Sequence, residues 1–269
     1  GVAKAKGELF SGIKPAGKLA VNIDDPEISK LAKNNSNQQI SFGRSQQAYV
    51  RATRIRNNGE KGMSFTLNIG EEKARVTIPA IGAHNVMNAL AASALAAGAG
   101  ITISEIARGL AAFKPYEKRM QVEILPCGLK LVNDTYNANP SSMCAALEAL
   151  QGMRRKNSRS VAILGDMLEL GEKSIAAHRY IGKSVGRLGF DYLLSIGNFA
   201  GHMVNGAQEA GMTREQSRVC ANKEEAAGLL LQLYKSNDLA TGDWLLLKGS
   251  RGMRMETIIA PLMQIGAGE

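Results

Sequence analysis

The sequence predicts an α/β protein whose C-terminal part holds a mostly parallel sheet, preceded by a part that is β-rich and then helical. Three observations carry this. Beyond residue 120, strand-like and helix-like segments alternate through short turns. Two of those strands, Val-Ala-Ile-Leu at 161–164 and Trp-Leu-Leu-Leu at 244–247, are continuous apolar runs, as strands covered on both faces require. Before residue 80, alternating residues are punctuated by Asn57-Asn58-Gly59 and Gly70-Glu71, which are hairpin turn signals.

In chain order, a short opening helix precedes a strand from Lys18 to Ile23 that ends in Asp24-Asp25-Pro26, and Gln39 to Gly43 forms a second strand. Arg51 to Ile78 folds into hairpins, and Gly82 to Ala97 is an Ala-rich helix. Thr102 and Glu105 form a capping box for a helix running to Phe113. Lys114-Pro115-Tyr116-Glu117-Lys118 breaks the pattern, which sets domains at 1–116 and 117–269. The second domain reads as strands Gln121–Leu125, Leu129–Val132, Val161–Leu164, Tyr192–Ile196, Arg218–Ala221 and Trp244–Leu247. Helices fall near 140–151, 172–188, 199–210, 223–235 and 253–264. This is a Rossmann-like arrangement.

Composition excludes several classes. A chain of 269 residues with 45% hydrophobic content buries a sizeable core, and no apolar run approaches the ~20 residues that span a bilayer. Three scattered cysteines (Cys127, Cys144, Cys220) without a C-x-x-C pair suit a reducing, cytoplasmic setting, and three histidines lack metal-ligand spacing, so no protein metal site is expected. The net charge of +9 comes from dispersed basic residues without aromatic interleaving. It fits ligands bearing phosphates and carboxylates rather than nucleic acid.

In open α/β sheets ligands bind beyond the carboxyl ends of strands. Three such ends carry polar clusters: Asn133-Asp134-Thr135-Tyr136-Asn137-Ala138-Asn139-Pro140, Gly165-Asp166-Met167-Leu168-Glu169-Leu170-Gly171, and Lys248-Gly249-Ser250-Arg251-Gly252-Met253-Arg254-Met255-Glu256. Asn139 is a good N-cap and Pro140 suits the first helical position, but capping does not need Asp134, Tyr136 or Asn137 as well. Lys248, Ser250 and Arg251 with flanking glycines form a candidate anion cradle. Asp166 and Glu169 read equally as a strand-end turn, and His178 as a structural residue on an apolar helix face. Two runs come close to a phosphate loop, Gly12 to Lys18 and Ala177 to Ser184, but neither stands between a strand and a helix.

DTYNANPSSM at 134–143, LGDMLELG at 164–171, KGSRGMRME at 248–256, AKGELF at 5–10, NIDD at 22–25 and GAHNVMNALAA at 82–92 together resemble the Mur ligases of peptidoglycan synthesis. Within that family they look like the branch that joins D-Ala-D-Ala to UDP-N-acetylmuramoyl-tripeptide. The resemblance implies the later portion of a central ATPase domain followed by a complete C-terminal ligase domain. The UDP-sugar-binding domain and phosphate loop of the family would then lie outside this sequence, and the chain alone is expected to be inactive. It also implies ATP and Mg2+ as cofactors, a cytoplasmic monomer, and an acyl-phosphate route to the amide. By resemblance, Asp134 would hold the ribose hydroxyls, His84 and Asn85 would lie near the adenine, and Arg119 would reach the ATP phosphates. Lys6 falls near the position of a carbamylated, metal-associated lysine of some relatives. Asn137, Asn139, Lys248, Ser250 and Arg251 would meet the dipeptide carboxylate and the nascent charge. The family pattern has glycine before the arginine and glutamate soon after it; Lys118 and Gln121 take those places here. Two alternatives stay open: a non-catalytic module that binds a nucleotide or dipeptide, and a Mur-type ligase for another amino acid.

Overall fold

The computed structural model describes residues 2–33, 35–155 and 157–264, with backbone alone for residues 2–4 and 6. The chain divides between Lys114 and Pro115 into two units.

In the first unit, α1 (Val2–Ser11) leads into β1 (Lys18–Asn22), α2 (Pro26–Lys33) and β2 (Gln38–Gly43). The strands β3 (Val50–Asn57), β4 (Met63–Ile69) and β5 (Glu72–Ile78) follow, then α3 (Ala83–Gly98) and α4 (Ile103–Ala111). The sheet runs β1-β2-β3-β4-β5, parallel across its first three strands and antiparallel across its last three. Period-2 alternation turns Phe65 and Leu67 of β4 and Val76 of β5 inward against Val86, Leu90 and Ala94 of α3. Thr102 and Glu105 cap α4 reciprocally, as their spacing predicts. The helix α2 was not expected. Asp25 caps it by accepting from the amides of Glu27 and Ile28 at 2.9 and 3.1 Å, with Pro26 at its first position. The residues that read as the end of a strand are therefore also the start of a helix.

The second unit contains β6 (Gln121–Ile124), β7 (Lys130–Asp134), α5 (Pro140–Met153), β8 (Ser160–Gly165) and α6 (Ser174–Arg187). It continues through β9 (Tyr192–Ile196), α7 (Ala200–Glu209), β10 (Ser217–Cys220), α8 (Lys223–Lys235), β11 (Trp244–Lys248) and α9 (Ile259–Leu262). The sheet order is β10-β9-β8-β11-β7-β6, parallel throughout except for β6, which pairs antiparallel with β7. Every residue of β8 and β11 is buried, which explains the apolar runs Val161–Leu164 and Trp244–Leu247 within them. Burying each of Leu245, Leu246 and Leu247 contributes about 1.5–3 kcal/mol.

The helix expected over 253–264 is broken. The chain makes 3₁₀ turns at Arg251–Met253 and Met255–Ile258, with Arg254 between them in the left-handed region at φ 47°, and only Ile259–Leu262 is α-helical. Lys223 meets the chain at the interruption: its ammonium donates to the Arg254 carbonyl at 3.1 Å and to Thr257 Oγ1 at 3.0 Å, while the same carbonyl accepts from the Thr257 amide in a 3₁₀ turn.

Candidate active site

The last strand, β11, inserts between β7 and β8, so the carboxyl ends of these three strands meet at one edge of the sheet. The register sets Lys248 beside Asp134 on one side and Leu164 on the other. The sheet thereby brings together the three polar clusters, which are separated by more than 110 residues at their extremes.

Asp134 and Lys248 are 9% and 2% exposed. The Lys248 ammonium donates to Asp134 Oδ2 at 2.5 Å, to the Asn137 carbonyl at 2.9 Å and to the Asp134 carbonyl at 3.4 Å. Its three hydrogens are thus taken within the protein. The cation of the expected cradle is committed to fixing the β7 turn, and of the three expected groups only Arg251 is exposed. Asp134 Oδ1 accepts from the Met120 amide at 3.1 Å. A carboxylate has about four acceptor positions, so Asp134 keeps capacity for further donors.

Ser250 joins all three loops. Its Oγ accepts from the Leu168 amide at 2.8 Å and donates to the Ala138 carbonyl at 3.4 Å, and its amide donates to the Asp166 carbonyl at 3.0 Å. Close approach here depends on glycine: a Cβ on Gly249 would stand 2.7 Å from Met255 Cγ and 3.2 Å from the Gly165 Cα. Asn139 caps α5 by accepting from the Ser142 amide at 2.8 Å, and Ser142 Oγ accepts in return from the Asn139 amide at 3.0 Å. Asn137 and Tyr136 are exposed beside this cap.

Asp166 and His178 are structural. The Asp166 carboxylate accepts from the amides of Asn198 and Phe199 at 2.7 and 3.1 Å, fixing the turn after β9. His178 is fully buried; its Nε2 accepts from the Met167 amide at 2.9 Å, while Nδ1 stands 2.7 Å from the Ser174 carbonyl. This pattern fits a neutral ring protonated on Nδ1, so its 3.7 Å approach to Asp166 is not an ion pair.

Arg119 lies at the same edge. Its guanidinium carbon stands 4.1 Å from the centroid of the Tyr136 ring. The residues on either side, Lys118 and Met120, are left-handed at φ 61° and 49°. Lys118 occupies the position where the family pattern has glycine, and its φ accounts for that preference. The Lys118 carbonyl accepts from the Tyr136 amide at 3.0 Å, and its amide donates to Gln121 Oε1 at 3.1 Å.

The sequence reasoning did not single out Glu256. Its Oε1 pairs with Lys118 Nζ at 3.0 Å and with Arg251 Nη1 at 2.7 Å, while Oε2 is buried without a hydrogen-bond partner among the described residues. Burial works to raise its pKa. The hydrogen bond from Lys118, with the backbone bond and the Lys118 and Arg251 charges, outweighs burial and holds the carboxyl below its usual value of 4.5. Its sequence signal was its place at the end of the Lys248-to-Glu256 cluster, with no role assigned to it there.

His84 and Asn85 stand in the first unit, in the first turn of α3 after Gly82 at φ 96°. His84 is exposed. The Asn85 amide donates to the Ile81 carbonyl at 2.7 Å, and its Oδ1 accepts from Asn88. The backbone of Lys6 is in α1, and its side chain lies outside the described residues. No group of three or more His, Cys, Asp or Glu among the described residues could hold a metal ion. No described helix is long and apolar enough to cross a membrane.

Residues 1–96 match the sequence model of the Mur ligase middle domain, and residues 118–251 that of the Mur ligase glutamate ligase domain. The chain is 34% identical over 267 residues to a UDP-N-acetylmuramoyl-tripeptide–D-alanyl-D-alanine ligase of Bacillus subtilis, covering 98% of this chain and 55% of the relative. A protein of the same name from Haemophilus influenzae is 32% identical over 264 residues, covering 97% of this chain and 54% of the relative. The chain thus spans about half the length of these relatives. The crystal structure of MurF from Acinetobacter baumannii aligns at a TM-score of 0.86 and 32% identity, covering 98% of this chain and 55% of that one. MurF from Thermotoga maritima in complex with ADP shares the fold, with a TM-score of 0.81 at 20% identity over 99% of this chain and 57% of that one. With both domain models matched in order and the fold shared along nearly the whole length, the chain belongs to the Mur ligase family.

Proposed function

We propose that this chain forms part of an ATP-dependent amide ligase that joins D-Ala-D-Ala to UDP-N-acetylmuramoyl-tripeptide in peptidoglycan precursor synthesis. The observation that carries this reading is the convergence of Asp134, Arg119, Ser250 and Arg251 on one sheet edge. Its support from relatives is their shared name and about 30% identity along nearly all of this chain.

In this reading a tripeptide carboxylate oxygen bonds to the γ-phosphorus and ADP departs, leaving an acyl phosphate. The dipeptide amine attacks the acyl carbon, the tetrahedral intermediate expels phosphate, and the amine proton is lost as the amide forms. Positioning and neutralisation of charge supply most of the acceleration. Asp134, with acceptor positions to spare, takes the ribose hydroxyls, and Arg119 faces the phosphates. His84 and Asn85 serve the adenine. Asn137, Asn139 and Arg251 meet the dipeptide carboxylate and the developing charge, with Lys248 orienting the loop that holds Asn137 and Ser250 tying that loop to those after β8 and β11. Lys6 is assigned to the metal-associated lysine role of relatives. No group of three or more His, Cys, Asp or Glu gathers among the described residues, so Mg2+ would enter on the ATP phosphates, and no step is derived through it. The setting is cytoplasmic, the protein a monomer, and its product feeds wall synthesis, and through it cell shape and division.

The test is mass-spectrometric detection of UDP-muramoyl-pentapeptide from the tripeptide, D-Ala-D-Ala and Mg-ATP. It is run on this chain and on a protein extended at its N-terminus to the length of the relatives. Product from the extended protein is the expected result. Absence of product from both overturns the reading in favour of a binding module or a ligase for another acceptor.

A further inference from the structure

Lys118 and Met120 are neither glycine nor asparagine, yet both are held in the left-handed region. Such backbone persists only where its surroundings over-determine it. Four backbone contacts hold this segment: the Lys118 amide on Gln121, the Lys118 carbonyl on the Tyr136 amide, the Arg119 amide on the Tyr116 carbonyl, and the Met120 amide on Asp134. The side-chain contact of Lys118 is Glu256, 138 residues away. The same Glu256 oxygen also receives Arg251, from the loop after β11. One carboxylate therefore ties the segment that carries Arg119 to the loop that carries Ser250 and Arg251. Its other oxygen has no partner among the described residues, so these two cations set its orientation.

We propose that Glu256 is a positioning residue: through Lys118 it holds the 118–120 segment in its left-handed turn, and so aims Arg119 across Tyr136 at the ligand edge of the sheet. Its functional meaning rests on the reading of Arg119 as facing nucleotide phosphate; its structural content does not. Glycine adopts the left-handed region without strain. If Glu256 acts by restraining Lys118, it becomes dispensable to the turn once residue 118 needs no restraint. A carboxylate that merely stabilised the unit would matter equally in either background.

The experiment compares this chain with its Glu256→Gln, Lys118→Gly and doubly substituted forms. Amide hydrogen exchange is read at Met120 and Tyr136, whose amides close the turn onto Asp134 and Lys118. In the natural background, Glu256→Gln is expected to speed exchange at both amides about tenfold, the scale of losing a charged hydrogen bond in a local opening. In the Lys118→Gly background the same substitution is expected to change exchange by less than about twofold, because the two effects are coupled. No acceleration by Glu256→Gln, or equal acceleration in both backgrounds, overturns the proposal. ADP affinity on the same four proteins separates it from the functional reading. Coupled exchange without ADP binding in any of the four supports the restraint and removes the nucleotide reading. Coupled exchange with affinity falling in the Glu256→Gln form alone supports both.

Discussion

Lys248 and Asp134 are the last residues of two adjacent parallel strands, and their side chains close on each other at 2.5 Å with both groups buried. A carboxylate and an ammonium at a strand edge usually face solvent; here register turns them into the internal tie of the candidate site.

That tie makes a prediction. Removing one member of a buried pair strands the other charge at a cost of about 3–5 kcal/mol, whereas replacing both with neutral groups costs much less. Lys248→Met is expected to destabilise the second unit by that amount in urea unfolding. Combining it with Asp134→Asn should recover a large part. Additive losses in the double variant would show that the two groups act independently.

Glu256 gives the pair of cations around it a dependence on pH. Its folded-state pKa lies below the usual 4.5. Its stabilisation is therefore complete above that value and is lost as pH falls through the lower, folded one. The difference in melting temperature between the natural chain and Glu256→Gln should be constant from pH 8 to about 5.5 and shrink in more acid solution. A difference that widens on acidification would contradict this sign.

Helix packing offers a sharper contrast. A Cβ on Gly182 of α6 would come within 1.8 Å of the Met203 carbonyl of α7, whereas one on Gly228 of α8 would meet nothing within 4 Å. Gly182→Ala should cost about 2–3 kcal/mol or more through forced separation of α6 and α7. Gly228→Ala should stabilise by about 0.5–1 kcal/mol, the ordinary helix preference for alanine. Thermal unfolding of the two variants reads opposite signs.

Asn139 separates capping from recognition. Asn139→Ala should cost about 1 kcal/mol of stability, and Asn139→Asp, an equally good cap, close to none. If the asparagine also meets the acceptor dipeptide, Asn139→Asp in the extended ligase raises the KM for D-Ala-D-Ala while leaving stability intact. An unchanged KM would leave Asn139 with the cap alone.

Much of this was legible along the chain, for physical reasons. Strands such as β8 and β11 announce themselves because burial on both faces leaves polar residues only at their ends. Thr102 with Glu105, and Asn139 with Pro140, are local devices, readable within four residues. The helix α2 escaped because it is only eight residues long and its Asp25-Pro26 start read as the turn that ends the preceding strand. The break at Arg254 escaped because a left-handed arginine has no local sequence signal, and the contact from Lys223 at that point comes from a different element. Asp134 and Lys248 stood out as polar groups at strand ends, but their pairing needs the strand order, which no local pattern contains. Glu256 and Lys118, 138 residues apart, were further still from local reading.

The strand order also has a consequence for biosynthesis. Chains fold as they emerge, N-terminal part first. The strand that fills the middle of the sheet, β11, is the last of the unit to leave the ribosome. Until then β7 and β8 are nascent neighbours with an empty slot between them, and neither has its central hydrogen-bonding partner. A prematurely ended chain would therefore lose the centre of its sheet rather than an edge, and with it Lys248, so Asp134 would never be drawn into place. The site therefore forms only once β11 has been translated, after every other strand of the unit.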